Sequence, residues 1–132
     1  MAATKRSRQR EAIIAFLKTR KDHPTADVVF TNLRESMPNL SLGTVYRNLS
    51  LLADQGQILR ISCDGKVDHF DGFTHPHYHF QCLGCGAVSD VELDLGDYLL
   101  KKAAPVTEGR ITQHTVIFHG YCPECDAKIQ QA

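Results

Sequence analysis

One short stretch holds most of the metal-binding side chains of this 132-residue chain. It contains four of the seven histidines, one aspartate and the first of two Cys-x2-Cys pairs, and it reads His69-Phe70-Asp71-Gly72-Phe73-Thr74-His75-Pro76-His77-Tyr78-His79-Phe80-Gln81-Cys82-Leu83-Gly84-Cys85. Alternate side chains of a β-strand share a face, so a strand over residues 73–81 would direct His75, His77 and His79 to one side. The stretch therefore predicts a metal site built on a strand.

The two Cys-x2-Cys pairs predict a second, closed zinc site. Cys82 and Cys85 are followed, thirty-six residues later, by Cys122 and Cys125. Such pairs supply the four thiolates of a tetrahedral structural Zn²⁺. Two disulfides are the alternative, and zinc is favoured because the chain shows no signal peptide for an oxidising compartment. Cys63 is left over and is expected to be a bystander thiol in a turn.

Length and charge limit the class of protein. The chain allows one domain or two small ones, and a zinc site would stabilise small domains. No stretch approaches the length of a membrane span, so a cytoplasmic protein without membrane contacts is expected. The net charge is zero, but residues 1–70 carry +4 and residues 71–132 carry −4. The basic half predicts a phosphate-rich partner and the acidic half a cation, unless the charges are merely solvated.

The basic half has the pattern of three helices followed by a hairpin. Apolar spacing predicts helices over residues 7–19 and 26–37, the second with Thr25 as N-cap, and then a helix of about fourteen residues that Ser41 caps and Gly56 ends. Short strands over residues 57–62 and 66–70 would flank an Asp64-Gly65 turn. These elements, in this order, describe a winged helix-turn-helix.

The third helix is the expected recognition helix. Its inner face is predicted to consist of Leu42, Val45, Tyr46, Leu49 and Leu52. Its polar side offers hydroxyls that suit phosphate and side chains that reach base edges, and the candidate DNA contacts are Ser41, Thr44, Tyr46, Arg47 and Asn48. A solvated polar face is the alternative; the positive charge and the hairpin favour DNA.

Four motifs follow one another along the chain. They are His23-Pro24-Thr25-Ala26-Asp27, Gly43-Thr44-Val45-Tyr46-Arg47-Asn48-Leu49, His77-x-His79-x2-Cys82-x2-Cys85 and Gly120-Tyr121-Cys122-Pro123-Glu124-Cys125. In this order and spacing they resemble the ferric uptake regulator family over essentially the whole chain. The resemblance implies an α+β protein with an N-terminal winged helix-turn-helix domain (1–70) and a C-terminal α/β dimerisation domain with a structural zinc (71–132). It also implies a homodimer that binds palindromic operators in double-stranded DNA when a regulatory metal is bound, usually as a repressor.

Within the family, the regulatory site resembles that of the peroxide-response branch. That branch binds its sensing ion through five residues, which match His23, Asp71, His77, His79 and Asp90 here. Iron-uptake regulators usually carry glutamate at the position of Asp90, and zinc-uptake regulators often carry cysteine at the position of Asp71. An additional site of the iron and zinc branches is expected to be broken, because Pro76 and Tyr78 stand at its ligand positions, although Asp97 and His114 match its other ligands.

The five matching residues supply nitrogen and oxygen without thiolate, which suits Fe²⁺ or Mn²⁺. The resemblance implies that peroxide reacting at bound Fe²⁺ converts His23 or His77 to 2-oxo-histidine, a poor ligand, so that the ion and then the operator are released. Peroxide is the one small molecule expected, as a signal, and a Mn²⁺ form would ignore it. The alternative is a repressor that reads iron or manganese abundance without peroxide sensing. His69 and His75 are expected to be surface residues or weak secondary ligands.

Other interpretations of these residues are simpler. His23 could cap a helix start, Asp71 could cap a turn before Gly72, and Asp90 could be a solvated acid at a strand end. A zinc-dependent nucleobase deaminase also pairs Cys-x2-Cys with an upstream histidine, but it needs His-x-Glu, whereas the chain has His77-Tyr78-His79. An enzyme is therefore not expected. A zinc module without a DNA role would leave the basic half unexplained.

Overall fold

The computed structural model describes residues 4–62, 67–75, 77–112 and 114–131. The chain forms two compact units, residues 1–75 and residues 76–132. Helices dominate the first unit and a three-stranded sheet lies in the second, which confirms the predicted α+β class. None of the described helices is long and apolar enough to cross a membrane.

The first unit contains three helices, each starting at a residue suited to cap it: α1 (Lys5–Lys18), α2 (Ala26–Leu33) and α3 (Leu42–Asp54). The Thr4 hydroxyl accepts a hydrogen bond from the Ser7 amide at 3.0 Å, and the Ser41 hydroxyl accepts one from the Thr44 amide at 3.1 Å. Each bond satisfies an amide that has no partner within its helix. Thr25 is the N-cap residue of α2.

Gly56 ends α3, as predicted. Its φ of +75° lies in the left-handed region, which glycine adopts without steric cost. The Gly56 amide donates to the Ala53 carbonyl at 3.0 Å and the Gln57 amide donates to the Leu52 carbonyl at 2.9 Å. This is the hydrogen-bond pattern of a Schellman motif, and it satisfies carbonyls at the helix end.

Helix α2 is shorter than predicted, ending at Leu33 rather than at residue 37. The Leu33 carbonyl accepts hydrogen bonds from the Met37 amide and the Ser36 hydroxyl, so the chain leaves the helix in a turn. Met37 still packs against the core. The apolar spacing therefore located a buried side chain correctly, but not the helix end.

The predicted hairpin is present as strands β1 (Leu59–Ser62) and β2 (Asp68–Asp71). They pair antiparallel, with Leu59 opposite Asp71 and Ser62 opposite Asp68. The predicted Asp64-Gly65 turn and Cys63 lie outside the described residues. Three helices followed by this hairpin match the expected winged helix-turn-helix.

The buried face of α3 differs from the predicted one at two positions. Val45, Leu49 and Leu52 are buried as predicted, but Tyr46 is 47% exposed and Asn48 is only 9% exposed. Successive helical residues are about 100° apart, so Tyr46 turns away from the stripe that starts at Val45. The core of the first unit comprises Ile13, Leu17, Ala26, Val29, Leu33, Leu40, Val45, Leu49, Leu52, Ile58 and Phe70.

The second unit is built around β3 (Tyr78–Cys82), which pairs antiparallel with β4 (Val88–Val91) and parallel with β5 (Ile117–Gly120). Its helices are α4 (Tyr98–Ala103), which a 3₁₀ turn (Ala104–Val106) follows, and α5 (Pro123–Gln130).

The strand predicted over residues 73–81 begins only at Tyr78, and that prediction was wrong for its first half. Phe73 and His75 belong to the first unit. The Asp71 carboxylate accepts a hydrogen bond from the Phe73 amide at 2.9 Å, which closes a side-chain turn directly after β2. This turn replaces the extended backbone that the aromatic pattern predicts.

The second unit has a small core. Among its described residues, the buried side chains are those of Tyr78, His79, Gln81, Cys82 and Val88. Large apolar side chains, such as Tyr98, Val106 and Phe118, are exposed. A unit of this size with so little buried apolar surface needs a metal or a partner for stability.

The burial of α3 gives a first prediction. Leu49→Ala removes a fully buried side chain and should lower the free energy of unfolding by about 2–5 kcal/mol. Tyr46→Ala, on the exposed side of the same helix, should change it by no more than about 0.5 kcal/mol. Urea denaturation followed by circular dichroism measures both. Equal destabilisation by the two substitutions would contradict the assignment of the buried face.

Candidate metal centres and nucleic-acid interface

The four cysteines of the two Cys-x2-Cys pairs converge in the second unit. Cys82 ends β3, Cys85 lies in the turn after it, Cys122 is the N-cap residue of α5, and Cys125 lies in the first turn of that helix. Their four sulfurs all lie within 4.8 Å of one another, and the Cys85 and Cys122 sulfurs are 4.0 Å apart. Sulfurs bound to one tetrahedral Zn²⁺ are about 3.8 Å apart. The cluster can therefore hold a structural zinc with little adjustment, and all four cysteines are free of disulfides.

Backbone amides prepare one of these sulfurs for a cation. The amides of Cys122 and Cys85 point at the Cys82 sulfur, with N···S distances of 3.3 Å and 3.4 Å. These hydrogen bonds lower the pKa of the Cys82 thiol to about 6. Hydrogen bonds to the Cys122 and Cys82 side chains instead raise the pKa of Cys125 to about 12. Cys82 and Cys125 therefore ionise together only when a cation balances their charge.

Gly84 lets the two cysteine pairs approach each other, a role that sequence reasoning missed. A Cβ atom at Gly84 would lie 2.8 Å from the Cys125 sulfur and 2.9 Å from the Cys125 Cβ. These separations are shorter than side-chain atoms tolerate. The residue at position 84, between Cys82 and Cys85, must therefore be glycine for Cys125 to approach this closely.

In the first unit, His23 and Asp71 form a buried polar pair. The His23 Nδ1 atom lies 3.5 Å from an Asp71 carboxylate oxygen, and each side chain is 1% exposed. His23 has a φ of +50°, in a region that residues other than glycine rarely adopt. Backbone strain of this kind persists where the surroundings hold it in place, often at functional sites.

The two carboxylate oxygens of Asp71 make different contacts. One carboxylate oxygen accepts the Phe73 amide that closes the turn after β2, and the other faces His23. The turn-capping role and a ligand role are therefore compatible, because they use different oxygens.

In the second unit, His77, His79 and Asp90 come together across β3 and β4. His79 and Asp90 are opposite each other in the antiparallel register. One Asp90 carboxylate oxygen lies 3.4 Å from the His77 Nε2 atom and 3.6 Å from the His79 Nε2 atom. The two imidazole rings are 4.5 Å apart between centroids. The prediction that His77 and His79 share a side is confirmed by their shared contact with Asp90, although His77 lies just before β3. The strand prediction was wrong for His75, which lies in a bend.

The other candidate ligands have different surroundings. His75 lies in a bend of the first unit and packs edge-on against Phe73 at 6.1 Å. Asp97 forms an ion pair with Lys101 at 3.3 Å on α4. The His114 ring lies 6.2 Å from that of Tyr78.

A polar cleft of about 460 Å³ lies in the first unit between α1 and α3. The Thr44 hydroxyl is 2.8 Å from that of Ser41 and accepts a hydrogen bond from the Arg47 guanidinium at 3.2 Å. The cleft brings four cations together, which suits a polyanion. Its lining residues are Lys5, Arg6, Gln9, Arg10, Asn39, Thr44, Arg47, Asn48 and Leu51.

The predicted DNA contacts occupy different positions around this cleft. Thr44, Arg47 and the largely buried Asn48 line it, while Ser41 is exposed at the start of α3 and Tyr46 is exposed on a different side. Sequence reasoning missed the α1 cations, although Lys5, Arg6 and Arg10 form a visible cluster of positive charge near the start of the chain.

Comparison with known proteins supplies the family. A sequence model described as the Ferric uptake regulator family matches residues 1–119. The peroxide-responsive repressor PerR of Staphylococcus saprophyticus is 35% identical over 120 residues, which are 91% of this chain and 81% of that protein.

Two solved structures share the fold. The peroxide stress regulator of Campylobacter jejuni matches with a TM-score of 0.75 and 26% identity, over 92% of this chain and 91% of that one. The ferric uptake regulator of Helicobacter pylori, at 20% identity, matches with a TM-score of 0.77 over 92% of this chain and 84% of that one. Members of this family are metal-dependent transcriptional repressors and not enzymes. The chain therefore belongs to the ferric uptake regulator family.

Proposed function

We propose that this protein is a DNA-binding repressor that senses hydrogen peroxide through oxidation of its own regulatory-site histidines. The observation that carries the proposal is the grouping of five nitrogen and oxygen donors into a buried pair, His23 and Asp71, and a triad, His77, His79 and Asp90. The identity with a peroxide-responsive repressor supports the choice of branch.

The donor chemistry fits the proposed metal. Three imidazoles and two carboxylates, without thiolate, suit Fe²⁺ or Mn²⁺ better than a soft ion. Within each group the atoms already approach one another to 3.4–3.6 Å, so little rearrangement is needed to bind a cation. We assign all five residues as ligands of one regulatory ion.

The division of the ligands explains how the ion would control DNA binding. His23 and Asp71 belong to the unit that carries α3, and the other three belong to the second unit. An ion that all five residues hold favours those arrangements of the chain in which both groups reach it. Metal binding then shifts the population toward the state that presents two recognition helices at operator spacing.

Bound Fe²⁺ would supply the chemistry that turns peroxide into an oxidant acting on the nearest groups. Among the five proposed ligands the imidazoles are the readily oxidisable groups, and oxidation of His23 or His77 to 2-oxo-histidine would remove a ligand. The His77 side chain is 12% exposed, which leaves peroxide a route to this group. With that ligand lost, the remaining residues would hold the ion less tightly, and operator binding would be lost with it.

The surfaces of both units support the proposed partners. The cationic cleft beside α3 suits the phosphates of double-stranded DNA. In the second unit, β5 is an edge strand of the described sheet, and the exposed Phe118 lies on it. An edge strand with apolar side chains is a surface for pairing with a second copy, and a homodimer would match a palindromic operator.

Mass mapping tests the sensing step. Fe²⁺-loaded protein exposed briefly to dilute peroxide should gain one oxygen atom on the peptides that contain His23 or His77, because the oxidant forms beside those rings. Mn²⁺-loaded protein should gain none. Absence of the added oxygen in the iron sample would instead support a repressor that reads iron or manganese abundance.

A matched variant strengthens this test. Asp90→Glu should keep metal-dependent operator binding, because a carboxylate and the imidazoles remain. It should reduce histidine oxidation, because the family's iron-uptake regulators usually carry glutamate at this position. Loss of both properties would mean that Asp90→Glu had simply broken the site.

Zinc content tests the four-cysteine cluster. Cys85→Ser should reduce bound zinc from about one ion per chain to well below half, because three thiolates do not close a tetrahedral site. Elemental analysis after dialysis measures this. Cys63→Ser is the matched control and should keep its zinc, since Cys63 is predicted to be a bystander. Zinc loss from both variants would contradict the ligand assignment.

Operator binding tests the DNA surface. Arg47→Ala should weaken binding to the operator by about 1–3 kcal/mol more than binding to random DNA if Arg47 reads a base edge. Lys5→Ala should weaken both by the same factor and reduce the salt dependence by about one unit, as expected for a phosphate contact. Fluorescence anisotropy across a salt series measures both effects. Lys101→Ala, on the exposed helix α4, is the control. A similar loss of DNA affinity in that variant would mean that the cleft between α1 and α3 is not the specific DNA-binding surface.

A further inference from the structure

We propose that His69 is a positioning residue of the regulatory site. Its imidazole fixes the backbone of His23 and thereby aims the His23 ring at Asp71. This proposal rests on the proposed function, because it requires that His23 is a ligand. It also gives a role to a histidine that the family motifs leave unassigned.

The central observation is a short side-chain contact. The His69 Nδ1 atom lies 2.7 Å from the His23 carbonyl oxygen. A carbonyl oxygen only accepts hydrogen bonds, so Nδ1 must carry the hydrogen and donate it. The contact joins residues 46 positions apart in the chain, and it lies within the first unit.

Strand β2 contacts the His23 segment at three successive residues. The His69 side chain donates to the His23 carbonyl, the Phe70 amide donates to the Pro24 carbonyl at 3.0 Å, and the Asp71 carboxylate faces the His23 ring at 3.5 Å. Residues two apart in a strand point to the same side, which is why His69 and Asp71 both reach His23. One strand therefore sets both the backbone and the ring of this ligand.

The backbone of His23 needs such support. Its φ of +50° brings the Cβ atom close to the backbone, which costs free energy in any residue other than glycine. Without the His69 hydrogen bond, the segment before Pro24 would relax toward a more common conformation. The His23 ring would then spend less time directed at Asp71, and the ion would be held less tightly.

Replacement of His69 should change the orientation of the His23 ring and leave the rest of the first unit unaffected. The Phe70 amide still holds the Pro24 carbonyl when His69 is replaced, and the pairing of β1 with β2 does not use the His69 side chain. Replacement of His69 should therefore leave the hairpin in place. Groups that orient a metal ligand in this way typically contribute about 10–100-fold to metal affinity.

The experiment measures Mn²⁺ affinity of the full, zinc-containing protein by competition with a fluorescent chelator. His69→Leu keeps side-chain bulk but cannot donate, and should weaken Mn²⁺ binding by about tenfold or more. His69→Asn carries an amide N–H close to the position of Nδ1 and should recover most of the affinity. A role in packing alone would not be rescued by asparagine.

Two further variants separate the possible failures. Ser62→Ala removes the 2.6 Å hydrogen bond from Ser62 to Asp68 within the same hairpin, and should leave Mn²⁺ affinity unchanged. His23→Ala should weaken binding at least as much as His69→Leu. If His23→Ala has no effect, the proposed ligand set fails, and the role of His69 with it. If His23→Ala weakens binding but His69→Leu does not, or if His69→Asn binds as poorly as His69→Leu, the positioning role alone is overturned.

Discussion

The antiparallel register of β3 with β4 is the constraint on which the second unit depends. It places His79 opposite Asp90, and a slip of one residue would turn Asp90 to the other face of the sheet. The register is set in the loop between the strands, where the Cys82 amide donates to the Ala87 carbonyl at 2.9 Å and Gly86 has a φ of +78°. Cys82 precedes this loop and Cys85 lies within it, so a zinc ion bound to their sulfurs would also help to hold the register. The four-cysteine cluster and the His77, His79 and Asp90 group are therefore mechanically linked through one strand.

In the first unit, the close approach of Gly72 to the end of α1 is a similar constraint. A Cβ atom at Gly72 would lie 3.0 Å from the Lys18 amide nitrogen, so the chain leaving β2 passes against the end of α1. A side chain at this position would require the end of α1 or the segment after β2 to shift by a few tenths of an ångström. Gly72 therefore allows the residue that follows Asp71 to lie against α1.

Local signals in the sequence predicted the parts of the fold that local physics controls. Helix α3 begins after Ser41, whose hydroxyl satisfies a free amide, and ends before Gly56, which accepts a positive φ. The Cys-x2-Cys spacing likewise indicated the cluster of sulfurs. The prediction failed at Tyr46, which lies about 100° around the helix from the buried Val45, and at the start of β3, where the turn capped by Asp71 replaces extended backbone. The role of His69 needs a contact 46 residues away, and no spacing rule reaches that far.

The cysteine sulfurs and the nitrogen and oxygen donors suit different metal ions. Four cysteine sulfurs within 4.8 Å of one another, one of them on a thiol with a pKa of about 6, suit a closed soft site for zinc. Nitrogen and oxygen donors suit harder ions, and here they form a pair in the first unit and a triad in the second. Loss of His23 from the proposed five-ligand set would leave one ligand in the first unit and three in the second, whereas the four cysteines all lie in a single unit. Under the proposed function, this asymmetry would let the regulatory ion leave on oxidation while the structural zinc stays.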